Sequence, residues 1–251
     1  MIERIKGAIL LLPLLIAFFC GEIVFSLIAI ILGLIAFTEL ANAFKLKNIQ
    51  MLPASAAILI IFLLFKIFGI INCLDFEIIV GILFFFFAGA LVLQKQNIKE
   101  ISINSLSLFY SFIPFWIIAE LYSKDVKWSI LVFVISFSTD VFAYFAGRLF
   151  GKHKLIPKIS PKKTIEGSIG GIICTVLIGA LFAYITNISI INIIPIALLG
   201  SIVAQLGDLF ASAIKRYCGI KDFGKIIPGH GGILDRFDSV IFVALLMNMF
   251  I

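Results

Sequence analysis

Residues 167–187, Gly-Ser-Ile-Gly-Gly-Ile-Ile-Cys-Thr-Val-Leu-Ile-Gly-Ala-Leu-Phe-Ala-Tyr-Ile-Thr-Asn, contain no charged side chain. An α-helix needs about 20 mostly apolar residues to cross the hydrocarbon core of a bilayer. This run therefore predicts a transmembrane helix. Comparable apolar runs precede and follow it, and the full set of candidate spans is 7–20, 23–43, 51–71, 77–93, 103–121, 128–149, 167–187, 189–210 and 237–251.

The composition of the whole chain agrees with this prediction. Of the 251 residues, 62% are apolar and 14% are charged, and the mean hydropathy is +1.20. An ordinary soluble domain is about 45–50% apolar, so a water-soluble globule is excluded. We expect an all-α, polytopic integral membrane protein with about nine transmembrane helices, or eight if the short first or last run does not cross.

The first apolar run imitates a signal peptide, because Arg4 and Lys6 precede it. Phe18 and Phe19 stand where a signal peptide would have small residues for cleavage, and a second apolar run begins at Ile23. We therefore interpret this region as an uncleaved helical hairpin.

The distribution of Lys and Arg predicts the orientation in the membrane. Cations accumulate in the short cytoplasmic loops of membrane proteins. With nine spans and a cytoplasmic amino terminus, seventeen of the twenty cations lie in cytoplasmic segments, two lie outside, and Lys66 lies within a span. We therefore expect a protein of the cytoplasmic (inner) membrane whose main polar loops face the cytoplasm.

Two kinds of site are not indicated by the sequence. The net charge of +6 resides in short segments between apolar runs, which favours contacts with anionic membrane lipids or with phosphates over binding of nucleic acid. Cys20, Cys73, Cys174 and Cys218 lie far apart without a CxxC pattern, so neither a zinc site nor a disulfide framework is expected.

Polar chemistry is concentrated in the second half of the chain. The apolar runs of the first half are rich in Ile, Leu and Phe, with few polar residues to bury, whereas acids, cations, glycines and hydroxyls collect from Phe137 onward. We expect amino-terminal scaffold helices in residues 1–127 and a catalytic transmembrane region in residues 128–251. The catalytic region would carry cytoplasmic loops at 148–166 and 211–236.

Two acidic residues fall within or beside predicted spans. Asp140 lies inside the sixth span and Asp208 lies near the cytoplasmic end of the eighth. Carboxylates there are costly unless they are paired, hydrated or bound to a metal. Asp208 could instead be a helix-end residue satisfied by water or Lys215, and a structural role for Asp140 is equally open.

The most polar run of the chain, residues 212–238, follows Asp208. Glycines around His230 predict a compact turn whose N–H groups can approach a phosphate. Asp235 and Asp238 are three residues apart, so both carboxylates lie on one helix face, and carboxylate oxygens are ligands that Mg²⁺ prefers. Helix capping by the two acids is the alternative interpretation.

A second cationic loop lies at residues 148–166, on the same predicted side of the membrane. Lys162 and Lys163 could hold a polyphosphate, and Ser160 and Thr164 could donate hydrogen bonds or cap the next helix. Contact with lipid headgroups alone is the alternative. Acids that could hold a metal and two cationic loops on one face together favour phosphoryl or nucleotidyl transfer to a lipid.

The sequence at this point resembles a known family, the phosphatidate cytidylyltransferases, also called CDP-diacylglycerol synthases. The run Ser-x-Ile-Lys-Arg-x4-Lys-Asp-x-Gly-x2-Ile-Pro-x-His-Gly-Gly-Ile-x-Asp-Arg-Phe-Asp at 212–238 is similar to the family signature. Gln-Leu-Gly-Asp at 205–208, Ser-Pro-Lys-Lys-Thr-Ile-Glu-Gly at 160–167 and Asp-x-x-Ala-Tyr-x-x-Gly-Arg at 140–148 also resemble family motifs. The specific resemblance covers about residues 138–239.

The resemblance implies that CTP and phosphatidic acid give CDP-diacylglycerol and pyrophosphate, with Mg²⁺ required. It also implies a second, monovalent cation such as K⁺ and a homodimer. Asp208 and Asp235 would be the metal ligands, and the catalytic residues would be Asp208, Asp235, Asp238 and Lys163. The substrate-binding residues would be Ser160, Lys162, Thr164, Ser212, Lys215, Arg216, Lys221, Asp222, His230, Gly231, Gly232 and Arg236.

Two other functions are considered. A CTP-dependent polyprenol or lipid kinase would transfer the γ-phosphate and release CDP. A transporter or flippase for an anionic lipid would tend to have internal repeats and helices interrupted at the bilayer midplane. The sequence contains no convincing repeat, and its polar residues concentrate at one interface.

Overall fold

The computed structural model describes residues 18–69, 76–227 and 231–251. The predicted span at 7–20, which is the first arm of the predicted helical hairpin, lies outside the described residues except for residues 18–20, whereas the second arm at 23–43 lies among them. The described residues form eight helices and two short strands. These are α1 (Glu22–Lys45), α2 (Pro53–Ile67), α3 (Phe76–Val92), α4 (Ile98–Lys124), α5 (Val126–Phe150), β1 (Lys154–Ile156), β2 (Ser160–Thr164), α6 (Ile165–Thr186), α7 (Ile190–Cys218) and α8 (Leu234–Met247).

A membrane protein built of helices is confirmed, but the described residues do not fit the predicted count of nine transmembrane helices. Among the described residues, five helices, α1, α4, α5, α6 and α7, are long and apolar enough to span a membrane. Helices α2, α3 and α8 have 15, 17 and 14 residues. At a rise of about 1.5 Å per residue, each helix is shorter than a hydrocarbon core about 30 Å thick. The apolar run at 51–71 is longer than its helix because α2 begins at Pro53 and Gly69, with φ of 65°, lies beyond its end.

Contacts divide the chain into two compact units between Trp116 and Ile117, inside α4. In the first unit, Phe37, Leu59, Leu108 and Phe112 belong to one buried cluster. The expectation of few buried polar residues in this half is wrong. Ser26, Glu39, Ser55, Gln96, Asn104, Ser107 and Ser111 are all buried.

The second unit holds α5 to α8, and its helices pack closely through small residues. A Cβ built on Gly171 of α6 would lie 3.0 Å from the Cβ of Ala143 and 3.1 Å from the carbonyl oxygen of Thr139, both on α5. Small residues allow helix backbones to approach in this way. The opposite face of α6, which includes Ile173, Leu177 and Leu181, is exposed, as expected of a surface turned toward lipid.

Hydroxyl groups connect the three long helices of this unit. Thr139 Oγ1 donates to Ser201 Oγ on α7 at 3.0 Å, and it lies 3.0 Å from Thr175 Oγ1 on α6. All three residues are completely buried. Hydrogen bonds of this kind fix the positions of helices within a bundle, and here they hold the residue next to Asp140 in place.

The cationic segment at 148–166 is not only a loop, because it contains the β1–β2 hairpin. The two strands are antiparallel, with Lys154 opposite Thr164 and Ile156 opposite Ser160. Glu166, in the first turn of α6, accepts hydrogen bonds from the backbone N–H groups of Lys152 and His153 at 3.0 and 3.2 Å. The hairpin is therefore fastened to the start of α6.

Candidate active site

A cavity of about 370 Å³ lies in the second unit, among α5, the hairpin, the start of α6 and α7. Its charged lining consists of Asp140, Arg148, Lys162, Lys163 and Asp208. Ser160, Thr164 and Ser168 add hydroxyls, and Gln205 adds an amide. The cavity therefore contains both acids and cations, which is what a site for a metal and a phosphate requires.

The end of β2 positions Lys163 at this cavity. Thr164 is the N-cap of α6, and its Oγ1 accepts a hydrogen bond from the Gly167 N–H at 3.1 Å. Lys163 directly precedes this cap, and its Nζ lies 2.6 Å from Oδ2 of Asp208. The predicted catalytic Lys and the predicted metal ligand are thus neighbours, although 45 positions separate them in the sequence.

Lys163 and Ser212 both contact the Asp208 carboxylate through their side chains. Its Oδ1 accepts a hydrogen bond from Ser212 Oγ, one turn later, at 3.3 Å. The side chain of Asp208 is 27% exposed and lines the cavity. Because side-chain donors can rotate away, a cation can replace them at this carboxylate.

Two further acids lie near Asp208. Ser239 Oγ donates to Oδ2 of Asp140 at 2.9 Å, and the Ser239 N–H donates to Oδ1 of Asp238 at 2.9 Å. The negative charge of Asp208 acts on both Asp140 and Asp238. The structure therefore brings Asp140, for which a structural role was equally open, to the same acidic group as the predicted Asp208 and Asp238.

Asp235 has a different environment. Its side chain is 4% exposed, and its Oδ1 accepts a hydrogen bond from Lys215 Nζ at 2.8 Å. Its Oδ2 accepts from the backbone N–H groups of Phe223 and Gly232 at 2.8 and 2.9 Å. Both oxygens of this predicted metal ligand are thus already engaged by donors from the surrounding chain.

A contact between the two cationic segments lies beside the cavity. Arg216 Nε, at the end of α7, donates to the carbonyl oxygen of Ile159 in the hairpin at 3.4 Å. This contact joins the segments at 148–166 and 211–236, and the Lys163–Asp208 ion pair joins the first segment to α7 just before the second. The prediction that they converge agrees with this geometry.

The predicted glycine-rich turn is closed by its own backbone. Ile227 and Gly231 exchange two hydrogen bonds, with N···O distances of 2.9 and 3.1 Å, and His230 lies between them, outside the described residues. The N–H of Gly232 donates to Asp235. The structure therefore does not present the N–H groups of Gly231 and Gly232 to a phosphate, because both donate within the segment.

The remaining predicted substrate-binding residues differ in position. Ser160, Lys162 and Thr164 line the cavity. Lys221, Asp222 and Arg236 are exposed and are not part of its lining.

Several residues that line the cavity were given no role from the sequence, although Tyr144, Arg148 and Gln205 fall in motifs that resemble those of the family. Tyr144 and Arg148 follow Asp140 at intervals of four residues, so the three share one face of α5. Ser168 and Gln205 are joined by a hydrogen bond from Gln205 Nε2 to the Ser168 carbonyl oxygen at 3.3 Å. The four-residue spacing in α5 was the available signal, whereas the pairing of Gln205 with Ser168 depends on the packing of α6 against α7.

The carboxylates of the described residues fit an open metal site better than an enclosed one. Among these residues, no group of three or more His, Cys, Asp or Glu side chains is close enough to enclose a metal. Mg²⁺ is usually bound through one or two carboxylates together with waters and substrate phosphates. Asp208, at the cavity, fits that kind of site.

The fold and the cavity define a helical membrane protein with a polar site that holds both acids and cations. The chain belongs to the cytidylyltransferase family, whose sequence pattern matches residues 2–251. The predicted resemblance is thereby confirmed.

Similar proteins carry a more specific name. A "phosphatidate cytidylyltransferase" of Staphylococcus saprophyticus is 35% identical over 253 residues, covering 99% of this chain and 96% of the relative. Proteins of the same name from Staphylococcus epidermidis and Staphylococcus aureus are 36% and 34% identical, over the same shares of both chains.

Proposed function

We propose that this protein transfers the cytidylyl group of CTP to phosphatidic acid, giving CDP-diacylglycerol and pyrophosphate in phospholipid biosynthesis. The observation that carries the proposal is the ion pair of Lys163 and Asp208 at a cavity of a membrane protein. The names of the relatives support the same reaction. They do not favour the alternative of a CTP-dependent lipid kinase.

The cavity suits the phosphate of the lipid substrate. Arg148 and Lys162 supply positive charge, and Tyr144 forms part of the wall while 62% of its surface is exposed. Val141 and Phe145 on the same helix are exposed and apolar. The acyl chains would therefore remain against the apolar helix surface while the phosphate enters among the cations.

Replacing Arg148 with Ala should raise the KM for phosphatidic acid by about tenfold or more, because a guanidinium–phosphate contact is a charge-assisted hydrogen bond. The KM for CTP should change little. Initial rates measured against each substrate, with the other at saturation, would check this prediction.

Lys158→Ala is the matched control, because Lys158 is an exposed cation of the same segment that does not line the cavity. Its two KM values should stay within about twofold of the parent values, as expected for a surface charge. If Arg148→Ala raised only the KM for CTP, the cavity would belong to the nucleotide instead.

The reaction requires little acid–base chemistry from the protein. An oxygen of the phosphatidate phosphate attacks the α-phosphorus of CTP, the new P–O bond forms, and the bond to the bridging oxygen of the β-phosphate breaks as pyrophosphate leaves. The second pKa of a phosphate monoester is about 6, so the attacking group is largely ionised at neutral pH. The protein must therefore mainly position the two substrates and balance their charge.

Asp208 is the residue that we assign to Mg²⁺, and the carboxyl groups of Asp238 and Asp140, both hydrogen-bonded to Ser239, lie nearby. When bound, Mg²⁺ would neutralise part of the triphosphate charge. Lys163, which pairs with Asp208, is placed to contact a phosphate oxygen once a cation occupies that carboxylate. The second, monovalent cation and the homodimer implied by the resemblance stay predictions.

The test of the reaction is product analysis. Purified protein is incubated with Mg²⁺, phosphatidic acid and CTP labelled in the cytidine ring or in the γ-phosphate, and the lipids are then extracted. We expect the cytidine label in the lipid and the γ-label in pyrophosphate. A kinase would place the γ-label in the lipid and release CDP, and a transporter would give neither product.

We further propose that the site faces the cytoplasm from the cytoplasmic membrane. Cysteines introduced singly at Lys158 and Lys225, both exposed, should resist impermeant thiol reagents in intact cells and react after permeabilisation. The background should lack the native cysteines, since Cys20 is exposed.

Lys124→Cys is the control for this topology. Lys124 is exposed at the end of α4, just before α5 begins. It therefore lies at the end of α5 opposite to the hairpin that carries Lys158, and Lys124→Cys should react in intact cells. Labelling of Lys158→Cys or Lys225→Cys from outside would contradict the orientation.

A further inference from the structure

The buried carboxylate of Asp235 connects three separate points of the polar segment at 211–236. Its hydrogen-bond donors are Lys215 in the last turns of α7, Phe223 in the middle of the segment and Gly232 just before α8. Lys215 Nζ also lies 5.3 Å from the centre of the Phe223 ring. A single side chain in the first turn of α8 thus fixes the segment at three positions.

The same contacts leave little room for a metal at this carboxylate. A carboxylate has about four lone-pair directions, of which two at Oδ2 are used by backbone N–H groups and one at Oδ1 by the ammonium group. The side chains of Asp235 and Lys215 are only 4% and 12% exposed. The one direction that remains at Oδ1 lies beside Lys215 Nζ, so a metal ion bound there would place a second positive charge next to a buried ammonium group.

The polar segment also fits closely around this group. Gly231 has φ of +92°, and a Cβ at this position would lie 2.8 Å from Oδ2 of Asp235. The N–H of Gly231 is itself bonded to Ile227. The chain therefore passes directly over the carboxylate, and this path depends on the acceptor beneath it.

We propose that Asp235 is a positioning residue that orders residues 219–227 and 231–233 and neutralises Lys215, and that it is not a ligand of the metal. The proposal rests on the proposed function, because it divides the predicted metal ligands into Asp208, which holds the cation, and Asp235, which orders the segment. That segment carries Lys221 and Asp222, for which the family resemblance implies a role in substrate binding. Asp235 thus acts on the reaction through the residues that it orders.

The experiment uses purified full-length protein and two readouts besides activity. Binding of Mn²⁺ in place of Mg²⁺ is followed by electron paramagnetic resonance. Tryptic cleavage after Lys221 and Lys225, both exposed within the segment, reports its order. Because cleavage follows the population of the opened segment, loss of the carboxylate contacts should appear as faster cutting.

For Asp235→Asn we expect cleavage to accelerate by about tenfold or more, while the Mn²⁺ dissociation constant stays within about twofold, as for independent sites. Asp208→Asn should give the reverse result. If Asp235→Asn weakened Mn²⁺ binding as much as Asp208→Asn does, or left cleavage unchanged, the proposal would be overturned. If only Asp208→Asn failed to affect Mn²⁺, the metal assignment of the proposed function would fail and the role of Asp235 would stand.

Two more variants separate the charge of Asp235 from its geometry. Asp235→Glu keeps the charge but is one methylene longer, so it should accelerate cleavage like Asp235→Asn. In the double variant Lys215→Gln with Asp235→Asn, no ammonium group is left buried without a partner, so cleavage should be at least about threefold slower than in Asp235→Asn alone. Equal cleavage of the single and double variants, or normal protection in Asp235→Glu, would contradict the proposal.

Discussion

Asp208→Asn should reduce turnover by about two to four orders of magnitude while the protein remains folded, because each 1.4 kcal/mol of lost transition-state stabilisation is tenfold. Asn keeps the shape of the side chain but removes the charge that pairs with Lys163 at 2.6 Å. Turnover is measured as cytidine label transferred to lipid at saturating CTP, phosphatidic acid and Mg²⁺.

The stability of this variant should change little. The Nζ atom of Lys163 is buried, and the amide oxygen of the Asn in Asp208→Asn can still accept a hydrogen bond from it. A thermal unfolding curve close to that of the parent protein is therefore expected. This separates a chemical role of Asp208 from a structural one.

Asp125→Asn is the matched control. Asp125 caps α5, and its side chain accepts a hydrogen bond from the Lys127 N–H at 2.9 Å. Because Asn caps a helix about as well as Asp, the control should keep turnover within about twofold. Near-normal turnover of Asp208→Asn would remove Asp208 from the metal site and reopen the assignment of the whole acidic group.

Much of the helical architecture follows from hydropathy alone. The predicted runs at 23–43, 128–149 and 167–187 correspond to α1, α5 and α6. The runs at 51–71 and 237–251 gave helices too short to span, because hydropathy measures transfer to lipid and says nothing about where the backbone turns. Pro53 at the start of α2 was a local signal for a later beginning.

The hairpin was not predictable in the same way. Residues 160–164, Ser-Pro-Lys-Lys-Thr, are polar and contain a proline, so they have low strand propensity. They form a strand because Lys154 and Ile156 pair with them across a turn. This is a non-local cause that a pattern along the chain does not contain.

For the candidate site as well, the sequence indicates which residue types matter but not which partners they contact. The sequence predicted that Asp208, Asp235 and Asp238 matter because of their types and spacing. It could not distinguish Asp208 beside Lys163 from Asp235 beneath two backbone N–H groups. The difference arises from how α7 and α8 pack, and this packing depends on a residue that carries no functional group.

That residue is Gly207, where α7 approaches α8 closely. A Cβ there would lie 2.5 Å from the backbone oxygen of Asp238 and 3.0 Å from the side chain of Phe242. A backbone atom cannot move aside like the end of a flexible side chain, so Gly207→Ala should push α8 away from α7. The change would alter the distance between Asp208 and Asp238, which lie on opposite sides of this contact.

We expect Gly207→Ala to lower the free energy of unfolding by about 1–3 kcal/mol through overpacking. We also expect turnover to fall by about tenfold to a hundredfold, because a displacement near 1 Å can cost that much. Gly89→Ala is the control, since a Cβ at Gly89 of α3 meets no atom within 4 Å and Ala favours a helix over Gly by about 1 kcal/mol. Chemical denaturation and the cytidylyl-transfer assay would measure both effects. Equal stability and turnover for the two variants would show that the close contact at Gly207 does not set the position of the acids.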